Sequence, residues 1–436
     1  MPDDGAAQVF GVLLAAPQAG VIDISARADA RASFEAGGDL PFPDRSARCM
    51  LLGDAAAALS VRDQVQLLIQ CRRVLRPGGQ LLCVERDAAQ LYESFARWAE
   101  FVGLHDLDPP ETGHGWRKQP ALADASPLVS ILMPSSNPRY FADALDSALA
   151  QTWQHIEIVI CDDCQTDEIE RIATSRGGRI EIRYHRNPER LRARKNYEKC
   201  LSVARGEYVK FLNDDDLLEP DCVATMLNAF RQVPDLMLAT SHRWRIDANS
   251  RVLDDMPATR PAVDRDLLVD GVTLANAVVM YGLNFIGEPS TAMFQRRSFD
   301  HRPHIDVGVP FHFNGEEVRG AIDLAMWFRL LVQGNAVFFH KRLSRFRIHS
   351  EQAQARPDVV ARSVAGIRGL QKQWIELGLF RRFPPHLMLC RPFPEGVSES
   401  REWQVEAVRS LPPSPLPADE AIHAWRTTAR HPFDTT

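Results

Sequence analysis

Between residues 127 and 218 the chain alternates short apolar runs with stretches of helical spacing. Leu128-Val129-Ser130-Ile131-Leu132-Met133-Pro134 is an apolar run stopped by proline, the pattern of a buried parallel strand. Phe141, Leu145 and Leu149 recur at helical intervals within 140–151. Ile156-Glu157-Ile158-Val159-Ile160-Cys161 predicts a second strand and ends on Asp162-Asp163. Residues 167–175 read as a helix, 180–184 alternate like a third strand, and 190–204 form a basic helix. Glu207-Tyr208-Val209-Lys210-Phe211-Leu212 predicts a fourth strand, followed by Asn213-Asp214-Asp215-Asp216. Strands alternating with helices specify an α/β fold with a parallel sheet. Such sheets bind ligands beyond the carboxyl ends of their strands. Two of these ends carry clustered aspartates, so the chemistry is sought there.

Punctuation divides the rest of the chain. A first zone, 1–120, closes in the turn-rich Asp108-Pro109-Pro110-Glu111-Thr112-Gly113 and in Pro120. The middle zone runs 127–350. A third, 351–436, is expected to be mostly helical or irregular: it has one helical pattern over 359–379, and Leu411-Pro412-Pro413-Ser414-Pro415-Leu416-Pro417 must be extended or loop. A length of 436 residues suits about three domains and a core that needs no disulfides. With 45% hydrophobic and 25% charged residues, a disordered or fibrous chain is excluded. A net charge of -6 argues against a general nucleic-acid binder. The chain has no apolar run long enough to span a bilayer, which leaves only peripheral membrane contact open. Met1-Pro2-Asp3-Asp4 opens with acid where a secretory signal is basic, so a cytoplasmic location is expected. The eight cysteines are scattered and read as reduced, apolar core residues. Cys161 and Cys164 have CxxC spacing but no second pair to complete a zinc site.

The net charge hides a local contrast. Three adjacent carboxylates, Asp214 to Asp216, repel one another unless a cation or donors offset them. A hard divalent cation bridging diphosphate oxygens would do so, because Mg²⁺ or Mn²⁺ favours one or two carboxylates plus phosphate. A solvated turn that caps the next helix is the competing reading, and Asp162-Asp163 has the same alternative. Residues 179–210 hold ten Lys+Arg against four Asp+Glu. That excess describes either a solvated basic helix or an anion pocket beside the aspartates.

In order along the chain come Val129 to Pro134, Ser147-Ala148-Leu149-Ala150-Gln151-Thr152-Trp153, Glu157 to Asp163, and Ala204-Arg205-Gly206-Glu207 through Asp216. This succession resembles a family 2 glycosyltransferase with the GT-A fold, a nucleotide-sugar-binding, Rossmann-like mixed sheet. The resemblance implies an inverting transfer from a nucleotide-diphosphate sugar, a UDP-sugar foremost, to a glycan or lipid-linked acceptor. It implies a divalent metal, Mn or Mg, and a role in polysaccharide or other glycoconjugate biosynthesis. By position, Pro134 would begin the loop near the base, with Asp163 bonding the base and Asp162 beside it. Asp214 would approach the ribose and Asp215 would hold the metal, helped by Asp216. Arg194 and Asn196 fall near the family's Arg-Asn pair, with Lys195 between them. Asn213 stands where many members have aspartate. Gly287 to Arg297 resembles the strand behind the acceptor site. Ala321-Ile322-Asp323-Leu324 resembles the helix that opens on an acidic pair, of which only Asp323 survives. A carboxylate there takes the proton from the acceptor hydroxyl, and a helix start favours its ionised form. Asp323 is therefore the expected catalytic base, with Glu316 and Glu317 in reserve. Trp327 shares its face, as a core residue or a sugar platform. Leu343 to Ser350 resembles the closing segment, in which Arg347 or His349 would meet the diphosphate or the metal.

The first zone resembles the later half of a Rossmann-like S-adenosylmethionine (SAM) methyltransferase. Val21-Ile22-Asp23-Ile24-Ser25 and Gly38-Asp39-Leu40-Pro41-Phe42-Pro43-Asp44 carry the likeness, with Asp23 at the ribose and Asp39 near the adenine. The Gly-rich turn that lets backbone approach the cofactor is missing upstream, where Val9 to Gln18 holds one glycine. A truncated or degenerate domain that does not bind SAM is expected. A bifunctional methyltransferase–glycosyltransferase and a non-catalytic glycan-binding scaffold remain as alternatives.

Overall fold

The computed structural model describes residues 45–393, except 54–55, 57–58, 85–87, 108–113, 119–125, 234, 257–258, 260–263, 283, 285, 300–309, 353–355 and 381–386. It also gives the backbone of short strands at 10–11, 21–24, 33–34 and 404–407. Two compact units divide the chain: one built on the described residues up to 118, the other on those from 126 to 371 with the strands beyond 386, while the helix end from Lys372 groups with the first.

The first unit holds a five-stranded sheet in the order Val21–Ile24, Ala47–Leu52, Leu75–Cys83, Gly115–Lys118, Leu104–Asp106. The first three strands are parallel and the last two antiparallel. Helices Val61–Val74 and Ala88–Phe101 bury Leu68, Phe95 and Phe101. Ser60 caps the first of them by accepting from the Asp63 amide. Asp23 lies in the edge strand, of which the backbone alone is described; Asp39 and residues 12–20, where the missing glycine turn would fall, lie outside the described residues.

The second unit follows the predicted alternation closely. Its opening elements are β1 (Val129–Ser135), α1 (Phe141–Leu149), β2 (Ile156–Asp162), α2 (Glu168–Ser175), β3 (Glu181–Arg186), α3 (Arg192–Val203) and β4 (Tyr208–Phe211). After these come α4 (Cys222–Gln232), β5 (Leu236–Ile246), β6 (Leu267–Val269), α5 (Gly271–Tyr281), β7 (Ala292–Gln295), α6 (Ile322–Gln333) and β8 (Asn335–Arg347). Helix α7 (Pro357–Glu376) and strands β9 (Leu387–Pro392) and β10 (Gln404–Ala407) close the described chain. The sheet order is β3-β2-β1-β4-β7-β5-β8-β6-β9-β10. Strands β3, β2, β1 and β4 are mutually parallel, while β7 runs antiparallel to β4, so the sheet is mixed as expected. Strands β9 and β10 extend it, an addition that the irregular pattern beyond Glu351 does not announce.

Burial explains the central strands. All seven residues of β2 are buried, which suits a strand covered on both faces. Glu157 sits inside that strand because every oxygen is engaged. Burial alone would raise its pKa, but donors from Ser130, Arg205 and Arg183 outweigh it and hold the carboxyl at about 2. A Cβ at Gly206 would fall 2.6 Å from the Ser130 backbone nitrogen, so only glycine lets α3 turn into β4 there. Pro134 lies beyond the last β1–β4 pair, Leu132 with Phe211, and so removes no ladder donor on that side.

Candidate active site

The strand order 3-2-1-4 reverses direction between β1 and β4, and a crevice opens outside the carboxyl ends at such a point. Asp214, just after β4, bridges it. Its Oδ2 accepts from the amides of Ser136 and Asn137, just after β1, at 2.6 and 2.8 Å. Burial and the neighbouring Asp215 charge push Asp214 up to about 7, against those two amides.

The next two aspartates turn to different partners. Asp215 Oδ2 lies 3.1 Å from His349 Nε2 and 3.4 Å from the Gln352 side-chain amide. Asp216 is fully buried and accepts from Ser290 Oγ at 2.6 Å, Asn213 Nδ2 at 3.1 Å and the Arg347 amide at 3.1 Å. Its carboxyl is raised well above the usual range by burial and by the charges of Asp215 and Glu288. Arg347, also buried, donates from Nε to the Asp215 carbonyl and lies over the Tyr140 ring, which in turn packs on His349. Arg347 therefore holds the turn and the histidine in place through backbone and ring contacts.

Asp323 opens α6 behind two residues with left-handed backbone. Gly320 has φ 79°, and a Cβ on it would meet the Arg362 carbonyl oxygen at 2.3 Å. Ala321 has φ 47°, a conformation that costs an L-residue on the order of 1–3 kcal/mol and persists only where surroundings enforce it. Asp323 Oδ2 accepts from Asn284 Nδ2 at 2.6 Å, and Oδ1 from the Leu324 amide at 2.9 Å. Burial pushes its carboxyl up to about 6; the Leu324 and Asn284 donors oppose that and the charge of Glu288 adds to it. Asn284 also ties down Gly287 through both its amide and its carbonyl. Trp327, fully buried, donates to the same Gly287 carbonyl at 3.0 Å and so is a core residue.

One half-buried side chain beside the turn, Tyr197, feels these charges. The Tyr197 hydroxyl donates to Asn213 Oδ1, and its pKa is raised first by burial and then by the charges of Asp215, Asp216, Asp214 and Asp323. The strand-end turn and the α6 acid are held from one segment, Ser290 donating to Asp216 and Asn284 to Asp323. Glu288 belongs there too: its Oε2 pairs with Arg243 at 2.9 Å and its charge acts on Asp216 and Asp323.

The remaining expected residues frame this crevice. Asp163 accepts from the amides of Leu191 and Arg192 and from Asn187 Nδ2, fixing the start of α3. Asp162 is fully buried and accepts from the Cys164 amide and from Tyr184 Oη, each within 2.7 Å. Asn196 staples α3 to the strand ends by donating to the Cys161 carbonyl. Arg194 pairs with Glu198 and, at 3.4 Å, with Glu317, so its guanidinium is held between two carboxylates. Glu316 and Glu317 are exposed on a short hairpin with His312 and Phe313. Cys161 and Cys164 are free thiols. Among the described residues, no group of three or more His, Cys, Asp or Glu is arranged to hold a metal on its own. Tyr197, Asn284 and Arg243 were not evident in the sequence, since none carries a motif; only their side-chain contacts reveal them.

A doubly wound sheet whose switch point gathers carboxylates defines an α/β protein built to receive a nucleotide-like ligand. The chain belongs to glycosyl transferase family 2, whose family model matches residues 130–302. It is 30% identical over 230 residues to an uncharacterised protein of Mycobacterium tuberculosis, a match covering 50% of this chain and 67% of that one. An uncharacterised glycosyltransferase of Rickettsia typhi is 28% identical over 230 residues, covering 52% of this chain and 66% of the relative. Such matches therefore span about two thirds of these relatives. The structure of S. aureus TarS in complex with UDP-GlcNAc aligns at a TM-score of 0.42 and 14% identity, over 59% of this chain and 72% of TarS. Among the described residues, no helix is long and apolar enough to cross a membrane.

Proposed function

We propose that this chain transfers a sugar from a nucleotide-diphosphate sugar to a hydroxyl of a glycan or lipid-linked acceptor, with inversion and with Asp323 as the base. The observation that carries this reading is the convergence of the aspartate turn after β4 with Asp323 at the switch point: Ser290 donates to Asp216, and Asn284, which also ties down Gly287, donates to Asp323. An acid at about 6 is ionised near neutral pH and is still basic enough to accept a proton. Asp323 takes the acceptor hydroxyl proton as the new C–O bond forms. The bond from the anomeric carbon to phosphate breaks on the opposite side, and its electron pair leaves with the diphosphate.

The donor set at Asp215 suits a divalent cation. A carboxylate with an imidazole 3.1 Å away supplies two ligands, and diphosphate oxygens would complete the shell of Mn²⁺ or Mg²⁺. Such a cation, when bound, stabilises the negative charge that builds on the leaving diphosphate. Asp214 then serves by holding the Ser136–Asn137 loop, and Asp216 by fixing the turn. Asp162, Asp163 and Asn196 shape the nucleotide end beside Pro134, and Arg194 stands near it. Activity on the cytoplasmic side, with peripheral membrane contact where the acceptor is a lipid, is part of the same proposal. The test is turnover of UDP-, GDP- and dTDP-sugars with and without Mn²⁺. Metal-dependent turnover that disappears in Asp215→Ala is the expected result; undiminished turnover in that variant removes the reading.

A further inference from the structure

A cleft of about 610 Å³ lies between β5, β8 and the start of α4, lined in part by His242, Trp244, Asp255 and Arg342. His242 and Trp244 alternate along β5 with Arg243, whose guanidinium meets Glu288 in the transferase crevice. The cleft is therefore a separate site from that crevice, on other side chains of the same strand.

Three features describe what it would hold. Its ionic groups are already matched: Arg342 pairs with Asp255 at 2.9 Å, Lys341 with Asp221, and Glu219 with Arg345 at 2.8 Å. Among the described lining residues, no Lys or Arg is left over to bind a phosphate or an acidic chain. Second, the Arg342 guanidinium lies 4.1 Å from the Trp244 ring centroid and fixes a half-buried indole in the wall. One aromatic among charged pairs is too little apolar surface for a lipid or drug-like ligand. Third, His242 is 4% exposed, yet its Nε2 meets no hydrogen-bond partner. Asp255 Oδ1, at 3.6 Å, is beyond bonding reach. Burial and the Arg342 charge push His242 down to about 4, so at neutral pH the imidazole is uncharged. A buried polar atom without a partner costs free energy that a ligand hydroxyl would recover.

We propose that this cleft is a second binding site, for a neutral saccharide, read by Trp244, His242 and the Arg342–Asp255 pair. Planar paired groups that both donate and accept, beside a fixed aromatic, match a ligand rich in hydroxyls and bare of charge. The site is independent of Asp215 and Asp323, so it stands whether or not the transferase reading does.

The test uses the full chain and saturation-transfer NMR with chitotetraose, maltotetraose and cellotetraose as probes. At least one tetrasaccharide is expected to bind, and binding should persist with excess UDP present and in the Asp215→Asn variant. Trp244→Ala should weaken it about tenfold or more, in line with the loss of an aromatic contact. His242→Phe, which keeps the ring and removes its polar atoms, should weaken it as well and decides the matter if Trp244→Ala does not fold. Three results overturn the proposal: no tetrasaccharide bound, binding displaced by UDP, or binding unchanged in His242→Phe. Absence of sugar turnover in the unaltered chain, with tetrasaccharide binding intact, would count against the transferase reading alone.

Discussion

Asp323 as the base requires a specific pH profile. Its carboxyl is raised from 3.8 to about 6, and two pKa units correspond to about 3 kcal/mol in favour of the protonated form. A base is active only when ionised. Turnover (kcat/KM) should therefore be flat above about pH 7 and fall tenfold per unit below about pH 6. Asp214, at about 7, titrates in the same range, so the profile alone does not identify the group. Asn284 does, because it donates to Asp323 and not to Asp214. A hydrogen bond to a charged acceptor contributes about 1.5–3 kcal/mol, so Asn284→Ala should move the acid limb upward by about one to two units. Asp323→Asn should lower turnover by about 10²–10⁴-fold and abolish the limb. The assay is donor consumption between pH 4.5 and 8.5 at saturating Mn²⁺. A limb that stays in place in Asn284→Ala, or persists in Asp323→Asn, refutes the assignment.

Further outcomes follow from the same contacts. Asp215→Ala should abolish the thermal shift that Mn²⁺ and a nucleotide sugar produce together, as read by differential scanning fluorimetry. Because the folded pKa of Asp214 lies above its unfolded value, its contribution is fullest below about pH 4 and is lost as pH rises towards 7, by up to about 4 kcal/mol. Without metal, Asp214→Asn should therefore flatten the fall in melting temperature across that window; an unchanged slope would contradict the raised value. Trp327→Phe keeps most of the apolar volume but removes one of the two donors to the Gly287 carbonyl, leaving Asn284, and should cost about 0.5–1.5 kcal/mol in urea unfolding while lowering turnover through Glu288 and Asn284. Arg347→Met should raise the metal concentration needed for half-maximal activity, since it frees the Asp215 carbonyl and the His349 support.

The local pattern carried the first part of the second unit, up to β4, and did not place α4, β5, β6, α5 or β8. Period and punctuation placed the strands and helices of 128–212 within a residue or two, because β2 and β4 are fully buried and so written as short apolar runs between turns. The same pattern could not order those strands in the sheet, and it said nothing of β9 and β10, whose segment lies between proline-rich stretches. The acids at strand ends were legible because like charges in a row demand a reason. Their partners were legible only in part. His349, 134 positions from Asp215, was named through the resemblance and not by any local pattern. Asn284, 39 positions from Asp323, carries no motif, and an asparagine does not depart from surface composition until the fold brings it to a carboxylate.

The triplet shows why adjacency in sequence is not equivalence in function. Three carboxylates on one turn cannot all be ionised in one place at neutral pH without large mutual cost. Their side chains diverge, and each meets a different answer. Asp214 is met by two backbone amides, a fixed donor pair that needs no cation. Asp216 is sealed among Ser290, Asn213 and the Arg347 amide, where a retained proton is tolerable. Asp215, at 21% exposure, has a histidine and the Gln352 side-chain amide beside it instead of a pair of backbone amides. A cation arriving with a diphosphate would find at Asp215 a carboxylate beside an imidazole, while the flanking two keep the turn from yielding to it. Converting Asp216 to asparagine should then lower stability more than metal affinity, and converting Asp215 the reverse. The pair of variants, measured by urea unfolding and by Mn²⁺ titration of activity, separates frame from ligand; equal effects of both on metal affinity would show that the three aspartates act as one site.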